Sequence, residues 1–201
     1  VTKSGINEMA YQQEPDSILW CVRDDGILAG LTYQRSEAVI AWHRHKLGGT
    51  FGTGSTATGY GVVESVASIS GQLTEDDFYV IVKRTINGAT KRYVEAFAPF
   101  DFGETDATDF RFADSHLTYS GSATTTLSGL AHLEGQTVSV LADGATHADK
   151  VVSSGQISLD RSTTKAVVGL AYDSVLQTMR IEGGAAEGTS QGKTKRISKV
   201  V

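Results

Sequence analysis

Apolar residues along this chain come in short runs, or alternate with polar ones, and turn-forming residues separate them. Apolar spacing of three and four residues, which would mark amphipathic helices, is hard to find. Short β-rich runs split by turns predict an all-β chain of antiparallel hairpins. In the first half the strands are "SILWCVR" (17–23), "ILAGLTYQ", "AVIAWHRH", "GVVESVASI" (61–69), "DFYVIVKRT" (77–85) and "TKRYVEAF" (90–97). Asp24-Asp25-Gly26 marks a turn, and Asn87-Gly88 is the strongest two-residue hairpin signal. In the strand after Asn87-Gly88, side chains alternate between faces. Arg92, Val94 and Ala96 fall on one face, and Lys91, Tyr93, Glu95 and Phe97 on the other.

The acidic stretch "APFDFGETDATDF" interrupts this pattern and places a boundary near residues 100–115. Beyond it the strands are richer in Gly, Ser and Thr: "TTTLSGL", "TVSVLAD", "GQISL", "KAVVGLAY" and "QTMRIEG". The expected organisation is a hairpin region over 1–105 and a small β-sandwich or barrel over 106–183. Residues 184–201 then form a flexible loop and the start of a returning strand. The chain begins without Met and stops on Val200-Val201, so it reads as a piece of something longer.

Composition narrows the function classes. Net charge is −5 across 201 residues, which disfavours a general nucleic-acid binder. Nothing approaches the roughly 18 consecutive apolar residues of a membrane span. Cys21 is the sole cysteine, which excludes an intrachain disulfide and a cysteine-based zinc site.

His43 and His45 share one face of their strand and are the candidate metal ligands. A third ligand would have to come from Asp24, Asp25, Glu64 or His116, and no spacing selects among these. The competing reading is a strand whose end reaches solvent or a subunit interface. The glycine-rich stretch 48–61 lacks Gly-Lys-Ser/Thr and reads as a mobile loop, not a phosphate cradle. Paired carboxylates at Asp24-Asp25 and Glu75-Asp76-Asp77 lie in turns, where acids serve turn formation and solubility. The acids of 101–109 do not match a calcium loop and read as a solvated linker. Lys193, Lys195, Arg196 and Lys199 read as charges that protect an edge strand. Trp20 and Trp42 sit in apolar strands and are expected to be buried. No catalytic residues and no cofactor are assigned, and the chain reads as a non-enzyme.

Taken together, "LWCVRDDG", "AWHRH", "VESVASISG", "DDFYVIVKRTINGATKRYVEAF" and "TTTLSGLAHLEGQTVSVLADG" resemble a family of tailed-bacteriophage structural proteins. Within that family the likeness extends to the tubular or nozzle tail proteins of short-tailed phages, and covers about Tyr11 to Val201. The resemblance implies propeller-type blades in the first half, with a small β-domain inserted between them. It implies a virion protein that acts by assembly, with copies of itself and other tail proteins as partners. The alternative is an adhesin that binds or cleaves host-surface carbohydrate.

Overall fold

A computed structural model describes residues 4–71, 75–99 and 106–177. The chain is all-β, as the alternation predicts. Eleven strands form three open antiparallel sheets, and no closed barrel or propeller forms among the described residues. The first sheet is a meander of β1 (Ile6–Gln12), β2 (Ile18–Arg23), β3 (Leu28–Gln34) and β4 (Val39–His45), in that order. The second is β5 (Val62–Ile69), β6 (Asp77–Ile86) and β7 (Ala89–Ala96). The third contains β8 (Asp114–Ser128), β9 (Thr137–Ala142), β10 (Ala145–Val151) and β11 (Gln156–Leu170), in the order β10-β9-β11-β8.

Strand β6 shows how the pattern drives the packing. Phe78, Val80, Val82, Arg84 and Ile86 are buried, while the residues between them are more exposed. That face meets Trp20, Val22 and Leu28 of the first sheet, with Val63, Val66 and Leu47 completing one core. The third sheet has its own core of Leu127, Leu130, Leu133, Val138, Val140, Val152, Ile157, Leu159 and Val168. Each core excludes several large aliphatic or aromatic side chains from water, at roughly 1.5–3 kcal/mol apiece.

Several elements differ from the expected ones. β1 is absent from the expected strands, because "INEMAYQ" groups Asn7-Glu8 and then Met9-Ala10-Tyr11 and so lacks polar–apolar alternation in the sequence, although its burial alternates in the fold. "GQISL" and "KAVVGLAY" belong to one long strand, β11, and β8 begins well before "TTTLSGL". Register shifts between Ser158 and Thr163, and between Thr163 and Lys165, let these long strands bend over their core. β10 was missed because "ATHADKV" is polar. It pairs as the return of a hairpin at Asp143-Gly144, and Asp143 accepts from the Thr164 and Lys165 N–H groups. "QTMRIEG" after Gln177, the loop and returning strand of 184–201, the basic residues 193–199 and acids 101–104 lie outside the described residues.

Trp42 is a clear correction. Trp20 is buried as expected, but Trp42 is 41% exposed, because it stands on the face of β4 turned away from the core.

The start of the glycine-rich loop is tied to both halves of the chain. Gly48 N–H donates to Asp114 Oδ2 (2.6 Å), and Arg84 Nε–H donates to the Gly48 carbonyl (2.7 Å). Thr85 N–H donates to the Thr50 carbonyl, and Gly52 N–H to Thr85 Oγ1. At Gly49, φ is +94°, and an added Cβ would stand 2.8 Å from Arg84 Cδ. Glycine is needed there both for the backbone conformation and for the close passage over Arg84.

Candidate functional site

The strand β4 puts His43 and His45 on one face, as its period of two requires, and turns that face toward Trp20. Across the ladder His43 pairs with Gly30. A Cβ on Gly30 would lie 2.2 Å from His43 Cε1, so the missing side chain is what allows the imidazole to lie over β3. Thr32 Oγ1 is 3.2 Å from His43 Nε2, and His43 Nδ1 is 2.7 Å from His45 Nε2. The result is a hydrogen-bonded chain from a hydroxyl through two imidazoles. Its proton order can run in either direction, because each neutral ring carries one donor and one acceptor.

Both rings are held neutral at pH 7. Burial lowers the pKa of His43. Burial, and secondarily the charge of His43, lower that of His45 to about 4. Unfolding therefore binds protons between the ordinary histidine value and about pH 4. Stability should be full above pH 6.5 and should fall as pH drops through that window. Denaturant midpoints measured from pH 7 to 4 are expected to show a loss on the order of 2 kcal/mol. His45→Gln is expected to flatten that slope.

Beyond His45, a cavity of about 770 Å³ opens between the ends of β4 and β7 and the start of β8. Glu95, Asp114 and His116 line it beside Phe97, Phe112 and Tyr172. Glu95, Asp114 and His116 are engaged by the fold. Arg84, fully buried, forms a bidentate ion pair with Glu95. Burial raises the pKa of Asp114, against the Gly48 N–H that stabilises its ionised form. Burial lowers that of His116, whose Nδ1 lies 3.1 Å from the Ala113 carbonyl.

The residues weighed as a third metal ligand do not converge on the histidine pair. Asp25 binds Arg23, Glu64 is shared by Lys83 and Arg92, and the Asp24 carboxylate lies against Gly5. Among the described residues, no three His, Cys, Asp or Glu side chains are grouped to hold a metal ion. Of the acidic clusters, Asp76 accepts from the Gln13 and Glu14 N–H groups and Asp109 pairs with Lys165, so both join segments distant in sequence. Among the described residues no helix is long and apolar enough to cross a membrane.

Sequence reasoning missed Arg84. The signal was present: it occupies an inward position in an otherwise apolar alternation, and Glu95 shares a face with Tyr93 and Phe97 on the next strand.

The larger unaccounted feature is on the opposite side of the first sheet. Met9, Tyr11, Tyr33, Ile40 and Trp42 are all exposed there, in register across β1, β3 and β4, with Leu19 and Leu31 between them. Arrays of this kind mark contact surfaces. No family model matches the chain, and no curated protein matches it.

Proposed function

We propose that this chain is a structural component of a bacteriophage tail and acts by subunit assembly, with no catalytic step. One observation carries the assembly reading: the apolar outer face of β1–β4, bearing Met9, Tyr11, Tyr33, Ile40 and Trp42 on a sheet whose other face packs Trp20, Val22 and Leu28 into the core. The strands "ILWCV", "ILAGL" and "VIAW" are continuous apolar runs, the pattern of a sheet covered on both sides. Aromatic residues at the centre of such a face are the usual anchors of protein contacts. The tail assignment draws on the resemblance of "LWCVRDDG", "AWHRH" and "INGA" to tail proteins. Localisation in the virion, with other tail proteins as neighbours, follows from it.

Peptides of this chain are expected in purified virions of the phage that encodes it, and an antibody against it is expected to decorate their tails. Virions that lack the protein would overturn the proposal. The second reading, a host-surface carbohydrate-binding module, draws on the co-facial Tyr11, Tyr33 and Trp42, whose rings suit stacking on sugars. Glycan binding lost in Trp42→Ala would favour it.

A further inference from the structure

We infer that the edge of β4, unpaired among the described residues, is a strand-pairing site for the β4 of a second copy of this chain, joining two first sheets into one. The inference rests on the assembly reading above and names its partner and geometry. Among the described residues the three sheets present six edges, and five are guarded against pairing. β1 breaks register between Ile6 and Glu8, and β5 between Val63 and Ser65. β8 and β10 also carry register breaks. β7 carries Lys91, Arg92 and Glu95.

β4 has no register break, and its one formal charge, Arg44, stands near its end. Its pairing with β3 runs without interruption from Leu28↔His45 to Gln34↔Val39. From Val39 to His43 it bears no Asp, Glu, Lys or Arg, and Ile40 is 68% exposed.

A free strand edge is a row of backbone donors and acceptors, so its natural occupant is another extended strand. The sequence of β4 suits its own copy. A two-fold axis normal to the sheet must set residues of like face opposite each other. Centred on Ala41, it places Ile40 against Trp42 of the second copy, and Ala41 against Ala41. The ladder so formed runs from Val39 to His43 of each copy, and ends where Ala38 turns into the left-handed region. His43, neutral at pH 7, meets Val39.

The purified chain, examined by light scattering and sedimentation across the micromolar range, is expected to be a dimer. Ile40→Lys changes an exposed side chain and is expected to raise the dissociation constant at least about tenfold with the circular dichroism spectrum of the fold unchanged. Ala41→Cys is expected to give a covalent dimer under mild oxidation, because paired antiparallel Cα atoms lie about 4.5–5.5 Å apart, within disulfide reach. Cys21 is buried and does not compete. A monomer at every concentration, or a dimer indifferent to Ile40→Lys, overturns the inference. So does a dimer that Ala41→Cys fails to cross-link, which would mean stacking through the outer face. A monomeric chain that is nevertheless found in virions defeats this inference and leaves the tail reading intact.

Discussion

Arg84→Met is expected to destabilise the fold by about 3–5 kcal/mol, measured by denaturant unfolding. The arginine has no exposed surface. Its guanidinium pairs with Glu95, whose side chain is only 16% exposed, and its Nε–H satisfies the Gly48 carbonyl. Methionine fills much of the volume but leaves a carboxylate and a carbonyl without their donor. Breaking a buried pair from one side is costly because the remaining charge has lost its solvation and gained nothing. Arg84→Met combined with Glu95→Leu is therefore expected to recover most of the loss, with about 1 kcal/mol remaining for the Gly48 carbonyl. If the double variant is as unstable as the single, Arg84 acts through packing against the loop glycines and not through charge.

Trp20→Ala is expected to cost about 3–5 kcal/mol, as for other large aromatic truncations in cores. Trp20 is 5% exposed and stacks on Phe78 at 4.7 Å between ring centroids. Its indole N–H donates to Gln12 Oε1 (2.8 Å), so the truncation also orphans a partner on β1. The same ring lies against both imidazoles of the pair. Removing it admits water to His45, whose pKa of about 4 is chiefly a burial effect. The His45 pKa should then rise toward the ordinary histidine value, which proton NMR titration would follow. The acid-side loss of stability should shrink with it, since the folded and unfolded states would bind protons more nearly alike. A His45 pKa that stays near 4 without Trp20 would place the cause elsewhere.

The two effects come from features of very different legibility. The position of Trp20 within an apolar strand predicts its burial. The identical reasoning fails for Trp42, since β4 is an edge strand whose outer face has no cover among the described residues. Residue type and local pattern were alike for the two tryptophans. What differed was the layer each faced. His43 and His45 show the same division. Their shared face follows from the strand period, but their contact with each other, with Thr32 and with Trp20 depends on β3 presenting glycine at position 30. The acidic turns were legible as turns, while the pairing of Asp109 with Lys165 and of Asp76 with the end of β1 was not.

By itself the sequence determined the strand class, the main hairpins of the first half and the co-facial histidine pair. All three follow from period-two alternation and turn chemistry, which act over a few residues. The tertiary structure decided what each face meets. It brought Arg84 under the loop glycines and against Glu95, tied Gly48 to Asp114 across the two halves, joined "GQISL" and "KAVVGLAY" into one strand, and left Trp42 and the β4 edge outward. These outcomes depend on contacts between segments far apart in the chain, where burial and desolvation depend on neighbours that local pattern does not specify.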